Sequence, residues 1–295
     1  MERQVRYSVV VASFNGARVI GRCLAALAEQ TVAAESYEVI IVDDGSRDAT
    51  ARIASSFVER FRNFRLVRLG ENRGLAAARN VGIRAASGEI VLFTDDDAIP
   101  PPDWVERIAA HYAEGVAGVG GLPEPEKPTP YARYEMAAGM LKYGPDWRGV
   151  DGAGGLNASF RRDALLDIGG FDERFRAIAD DADINRRLTA AGYRLRFVPG
   201  IVVKHRFPVR FSQFLRRAYR RGGGGRLFER KYGCDRGALA PIFLAWNLVA
   251  LCSHGRAGAK MARLAGTTQD EFLFSFLSWL ESILYSLGYL AGYLG

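Results

Sequence analysis

Within the first 120 residues the apolar positions alternate between two rhythms. Unbroken β-rich runs predict strands at Tyr7–Ala12, Glu38–Val42, Arg65–Leu69, Glu89–Thr94 and Val116–Gly121. Helically spaced apolar positions between them predict helices at Ala17–Gln30, Asp48–Phe61, Leu75–Ala86 and Asp103–Glu114. Ser8-Val9-Val10-Val11 and Val39-Ile40-Ile41-Val42 are continuous, as in strands covered on both faces. This order predicts βαβ units, hence an α/β fold with a mostly parallel central sheet flanked by helices.

From Gly121 to Val150 the pattern dissolves into proline, glycine and aromatics, predicting a loop-rich insert with one short helix near Ala132–Leu141. Gly152–Phe160 then reads as strand-like, Asp163–Ile168 and Asp181–Ala191 as helical, and Tyr193–Val198 and Ile201–His205 as extended. Two apolar stretches follow, Ala238–Cys252 and Phe272–Leu294. The first is shorter than the roughly 20 residues that a membrane span needs. The second is long enough but carries Glu281 and a stripe of small residues (Ser275, Ser278, Ser282, Gly288, Gly292) suited to close helix–helix contact. The expectation is a helix pair lying in a membrane interface, with a spanning hairpin and a soluble helical subdomain as competing readings.

Ligands of such sheets bind at the carboxyl ends of the strands. The polar residues gather there: Ser13-Phe14-Asn15-Gly16 after the first strand, Asp43-Asp44-Gly45-Ser46 after the second, Asp95-Asp96-Asp97 after the fourth. Prolines 100–102 forbid any continuation of that fourth strand, which stops abruptly at the carboxylates. Three adjacent carboxylates repel one another, and a Mg²⁺ or Mn²⁺ ion carrying phosphates would offset that repulsion. A solvated acidic turn is the plain alternative.

Charge narrows the partners. The chain of 295 residues carries a net +7, yet Lys204–Lys231 alone holds ten Lys or Arg against one acid, Glu229, so the remainder is net acidic. This basic segment precedes the apolar stretches and lacks groove-reading interleaving, which points to an anionic membrane surface and not to nucleic acid. Three scattered cysteines (Cys23, Cys234, Cys252) suggest a reducing compartment. Met1-Glu2-Arg3 runs directly into the strand at Tyr7, so no secretory leader is expected.

Ser46 is placed to cap the helix near Asp48, whose carboxylate suits the helix dipole. Either Asp43 or Asp44 could accept from a base N–H or a ribose hydroxyl, or both could be turn residues. Asn72-Arg73-Gly74-Leu75-Ala76-Ala77-Ala78-Arg79-Asn80 opens a helix whose alanines permit close approach to the sheet. Arg79 lies one turn in, placed for a diphosphate or a base, with a surface ion pair as the alternative. Asp180-Asp181-Ala182-Asp183 is a second acidic cluster, at a helix start, where a carboxylate could serve as a general base or simply as a cap.

Together these pieces, from about Ser8 to His205, resemble the family 2 inverting glycosyltransferases of the GT-A fold. The resemblance implies a nucleotide-diphosphate-sugar donor bound by Ser13, Asn15, Asp44, Arg79, Asp95 and Asp96. It implies a divalent cation (Mn²⁺ or Mg²⁺) at Asp95 and Asp97, with Asp97 the direct ligand and His205 placed where some relatives have a histidine near the donor phosphates. Asp181 matches the catalytic base. The family usually has Glu-Asp where this chain has Asp180-Asp181, which bears on how the acceptor is oriented. The implied organisation is a donor-binding half (1–120), an acceptor-binding and catalytic half (121–210) and a membrane-associating tail (211–295). The acceptor would be a glycan or lipid-linked glycan, contacted by the aromatic region that includes Trp147. The expected location is the cytoplasmic face of the cell membrane, peripheral or shallowly inserted through residues 204–295.

Other classes fit less well. A sugar-nucleotide pyrophosphorylase needs a glycine-rich phosphate loop after its first strand, where this chain has Ala12-Ser13-Phe14-Asn15-Gly16-Ala17. Gly222–Gly225 lies in the wrong context for a dinucleotide fingerprint, and no P-loop is present. A membrane-associated binding protein that has lost turnover remains the non-enzymatic reading.

Overall fold

The computed structural model describes residues 5–144, 152, 154–176, 178–208, 210–234, 241, 244–245, 247 and 251–294. Trp147 and most of Ala238–Cys252 lie outside these. The chain forms two compact units, Met1–Glu124 with Asp151–His205, and Pro125–Val150 with Arg206–Gly295.

The first unit is built on an eight-stranded sheet in which, counting strands along the chain, the third lies at one edge, followed by the second, first, fourth, seventh, sixth, eighth and fifth. Strands β1 (Tyr7–Ser13), β2 (Tyr37–Asp43), β3 (Phe64–Arg68) and β4 (Ile90–Asp95) run parallel, joined by α1 (Ile20–Ala28), α2 (Thr50–Arg60) and α3 (Leu75–Ala85). The unbroken valine and isoleucine runs cover both faces. Val9, Val11, Val39, Ile41 and Leu92 pack with Leu24, Leu27 and Trp104, whereas Val10, Ile40, Val42, Val91 and Phe93 pack with α3 alanines and Phe160. Each such side chain contributes about 1.5–3 kcal/mol by leaving water. Helix α3 sits close to the sheet: Ala76, Ala77 and Ala78 are buried, and a Cβ at Gly82 would meet Val10 Cγ1 at 2.3 Å.

Beyond β4 the sheet changes character. A short β5 (Ala98–Ile99) is followed by α4 (Trp104–Ala109) and β6 (Val116–Pro125), then β7 (Ala158–Arg161), α6 (Arg162–Asp167), α7 (Asp180–Ala190) and β8 (Arg194–His205). Strand β7 runs antiparallel to both β4 and β6, so β4 and β6 are parallel to each other with β7 inserted between them, and α4 lies on the connection that joins the two. The two extended segments predicted near residues 193–205 are one strand that runs through Pro199 and Gly200. The insert predicted to be loop-rich is more regular than its prolines suggest. Strand β6 continues through Pro123, and α5 (Pro130–Tyr143) starts with Pro130 in the first turn and Thr129 Oγ1 accepting from Ala132 N at 3.2 Å.

In the second unit α5 packs with α8 (Phe211–Lys231), α9 (Leu251–Leu264) and α10 (Glu271–Leu294) around Tyr134, Phe214, Met261, Phe274 and Leu277. Helix α10 is long and apolar enough to cross a membrane by length and composition. Its mid-helix acid is neutralised within the unit: Glu281 accepts from Arg221 Nη1 at 2.7 Å and from Tyr134 Oη at 2.7 Å. Arg217 and Arg221 also reach Glu135, and Arg226 is buried, so part of the basic segment expected to face lipid is turned inward. Gly222 and Gly288 bring α8 and α10 into backbone contact, a Cβ at either meeting a carbonyl oxygen at 2.0 or 1.9 Å.

Candidate active site

Register places the carboxylates. Ser13 pairs with Asp43, and Ala12 with Asp95, so the ends of β1, β2 and β4 lie side by side in the first unit. After Asp95 the chain turns through Asp96 and Asp97 into β5, where Ala98 pairs with His205. That pairing brings His205 Nε2 to 3.0 Å from Asp97 Oδ1 and 4.0 Å from Asp95 Oδ2. The three donor atoms lie within 4.8 Å of one another. Two hard carboxylate oxygens and one imidazole nitrogen form a donor set that fits Mn²⁺ or Mg²⁺ with phosphate oxygens completing the shell.

Asp96 faces elsewhere. Its carboxylate accepts from Ser13 Oγ, over Gly16, where any Cβ would collide with it. Burial pushes this carboxyl up to about 7, opposed by the Ser13 hydrogen bond and reinforced by Asp97 and Asp95. Ser13 and Asp96 therefore pin the β1 and β4 termini to each other. Asn15, at φ 54°, ties the first loop to the second: Asn15 N donates to Ser46 Oγ at 2.8 Å, and Arg47 N to Asn15 Oδ1 at 2.9 Å. Ser46, predicted to cap α2, is thus engaged with Asn15. Asp48 takes over, accepting from Thr50 N at 3.0 Å and from the Thr50 hydroxyl, bonds that hold its carboxyl below the usual range.

Asp44, 3% exposed, accepts from Arg73 N at 2.7 Å, Gly74 N at 2.8 Å and Asn72 Nδ2 at 2.9 Å. These bonds fix the loop that starts α3. Gly74 adopts φ 96° there, and Arg176 closes from the far side, its carbonyl accepting from Leu75 N at 2.8 Å. Asn80 continues the clamp, its side chain donating to the Phe171 carbonyl and accepting from Phe171 N, both at 2.8 Å.

Arg79 is 3% exposed and lies behind the acidic groups. Nη1 donates to Asp180 Oδ2 at 2.5 Å, while Nη2 donates to Asp95 Oδ1 at 3.0 Å and to the Gly155 carbonyl at 2.8 Å. Burial alone would lower the guanidinium's pKa, but Asp180 and Asp95 more than offset it. Burial holds the Asp180 carboxyl above the ordinary range, at about 6, with Arg79 pulling the other way. Next in the chain, Asp181 is half-buried. It accepts from Ala182 N at 2.8 Å, and its Oδ2 lies 3.5 Å from Gly155 N. This leaves a carboxylate without a side-chain ion pair among these contacts, beside two that are committed.

The structure thus brings Asp95, Asp97 and His205 into one cluster and joins it through Arg79 to Asp180 and Asp181. Asp44 and Asn15 serve the loops beside it. The bridging contacts of Asp180 and the Gly155 carbonyl were not legible in the sequence, because neither spacing nor residue type reports a contact made across 101 residues.

Residues 8–169 match the family described as glycosyl transferase family 2, and residues 90–294 match glycosyl transferase family group 2. Glycosyltransferase AglE of Haloferax volcanii is 35% identical over 223 residues, covering 74% of this chain and 72% of that protein. A pre-mycofactocin glycosyltransferase of Mycobacterium tuberculosis is 29% identical over 73% of this chain, which spans about half of it (46%). A mannosyltransferase from Pyrobaculum calidifontis, solved with GDP-Man and Mn²⁺, superposes with a TM-score of 0.70 at 24% identity, covering 99% of this chain and 87% of that one. The Staphylococcus aureus TarS fragment 1–349 with UDP-GlcNAc superposes at 0.55 with 17% identity, covering 99% and 92%.

Proposed function

Because the chain belongs to glycosyl transferase family 2, we propose that it is a metal-dependent, inverting enzyme moving a sugar from a nucleotide-diphosphate donor to an acceptor hydroxyl. The observation that carries this reading is the convergence of Asp95, Asp97 and His205 at the strand ends, with half-buried Asp181 next to Asp180, which Arg79 ties to Asp95. Asp95, Asp97 and His205 would hold a divalent cation, which when bound supplies positive charge to the leaving diphosphate. Asp44 and the 72–74 loop form the base end of the donor site, and Ser13, Asn15 and Asp96 shape its floor. Asp181 takes the proton of the acceptor hydroxyl as that oxygen bonds the anomeric carbon from the face opposite the diphosphate, breaking the sugar–phosphate bond and inverting the centre. The similar proteins solved with GDP-Man and with UDP-GlcNAc support a nucleotide-sugar donor.

The acceptor we infer is a glycan or lipid-linked glycan of the cell envelope, reached at the cytoplasmic face of the membrane. Support comes from α10 and from the exposed arginines of α8, Arg216, Arg220 and Arg230. Each cation near an anionic leaflet adds about 1 kcal/mol of attraction. A failure to pellet with anionic vesicles at low salt removes this part alone.

A thermal-shift panel of GDP, UDP, ADP, CDP and dTDP, with and without Mn²⁺, tests the donor assignment. One nucleotide should stabilise the protein, and more strongly with Mn²⁺. Asp181→Ala should then lose about 10²- to 10⁴-fold in nucleoside diphosphate release upon addition of acceptor membranes. Unchanged release removes the base assignment.

A further inference from the structure

We propose that Arg79 is a positioning residue that holds the base-bearing helix at a fixed distance from the metal-binding carboxylates; the inference rests on the transferase reading above. A single guanidinium touches three separate parts of the site. Its Nη1 reaches Asp180, the residue before the base, while its Nη2 reaches both Asp95 of the cation cluster and the Gly155 carbonyl. The Gly155 amide in turn faces Asp181 at 3.5 Å. The aromatic faces of Phe171 and Phe93, 5.5 and 5.9 Å away, wall the cation in.

The start of α7 shows why such a tie is needed. Ala179 precedes it in the left-handed region (φ 69°, ψ 7°), a conformation that a residue with a Cβ holds only when its surroundings impose it. Among the described residues no side chain caps this helix, and its first turn carries Asp180, Asp181 and Asp183. Asp183 is held by Arg187 at 2.8 Å, and Arg187 is anchored to the Gly170 and Ile168 carbonyls at 2.6 and 2.9 Å. Arg79 supplies the matching hold on Asp180. Together the two arginines fix the turn from which Asp181 projects. The planar fork meets all three partners at once, whereas a lysine keeps the charge but, being shorter, releases Asp180.

The test compares Arg79→Lys, Asp180→Asn and the double variant Arg79→Lys/Asp180→Glu, in which the longer carboxylate meets the shorter cation. In the full chain without ligand, amide exchange over residues 178–185 should quicken at least tenfold in both single variants and recover in the double variant. With GDP-mannose or UDP-GlcNAc, whichever the wild type turns over, kcat should fall about 10- to 100-fold, since an error of about 1 Å at the reacting groups costs this much. The donor KM should move less than about threefold, and the Mn²⁺-dependent shift with the matching diphosphate should persist. A tenfold rise in KM with kcat intact would make Arg79 a nucleotide ligand and overturn the proposal, as would unchanged exchange. Should Arg79→Lys fail to fold, Asp180→Asn alone decides by the same readouts. A wild type that releases no nucleoside diphosphate from any donor counts against the transferase reading, and exchange then judges the tie by itself.

Discussion

Replacing Asp44 with alanine gives a sharp test of how the donor side of the site is built. The carboxylate accepts three hydrogen bonds, two from the backbone of Arg73 and Gly74 and one from Asn72 Nδ2, in a setting only 3% exposed. A hydrogen bond to a charged group contributes about 1.5–3 kcal/mol, and a buried donor left unmet costs about 1–3 kcal/mol. The three bonds share one acceptor and are not additive, and water can reach the exposed side of Arg73, so we expect a net loss of about 3–5 kcal/mol. For a unit of this size each kcal/mol lowers Tm by about 2–4 °C, giving a fall of roughly 6–20 °C by calorimetry. Asn72→Ala removes the bond to Asp44 and the exposed one that Asn72 Oδ1 accepts from Arg176 Nη2 at 3.1 Å, and should cost about 1 kcal/mol. Adding Asn72→Ala to Asp44→Ala should then cost less than Asn72→Ala alone, since only the exposed Arg176 contact is left to lose. An Asp44→Ala shift under 3 °C, or full additivity of the pair, would mean that the loop is held from the Arg176 side and that Asp44 is free for another partner.

Asp97→Asn and His205→Ala should each abolish the extra stabilisation given by Mn²⁺ with a nucleoside diphosphate, which amounts to about 2.7 kcal/mol at a hundredfold excess over Kd; retention of the full increment in thermal shift removes that residue from the cluster. In the second unit, Arg221→Met leaves Glu135 (4% exposed) to Arg217 at 3.4 Å and Glu281 (21% exposed) to the Tyr134 hydroxyl, and should cost about 1–3 kcal/mol in urea unfolding, with partial recovery on adding Glu281→Gln. Gly288→Ala drives a methyl into the Tyr219 carbonyl and should destabilise by about 1–3 kcal/mol, read from the same transitions.

The parallel half of the fold was legible because its strands are buried on both faces, so hydrophobicity alone marks Val9–Val11 and Val39–Val42. The antiparallel half was less so. Pro123 and Pro125 act as breakers in isolation, yet lie in β6, whose direction is set by pairing with a strand about 40 residues later. The same division runs through the site. Asp95, Asp97 and Asp181 announce themselves as acids at element ends, whereas the partners of Arg79 depend on how α3 lies against β4 and α7. Its place among carboxylates, where the resemblance implies a nucleotide contact, follows from the alanines that draw α3 onto the sheet. Nor could periodicity tell inward from outward arginines on α8, because Arg217 and Arg221 answer to acids on other helices.

The neighbouring positions of β6 and β7 have an evolutionary consequence. Gly118 lies opposite Phe160 and Gly120 opposite Ala158, so the intervening stretch departs from and returns to adjacent rungs of one ladder. Closing a longer or shorter excursion over such a doorway changes the entropy only logarithmically, about 0.6 kcal/mol per doubling. The excursion is no free loop, however: it carries α5, whose Tyr134 lies in the second unit's core and whose Glu135 meets Arg221. Changes of length are therefore tolerated only outside Pro130–Tyr143, where they leave both the rungs and that core in step.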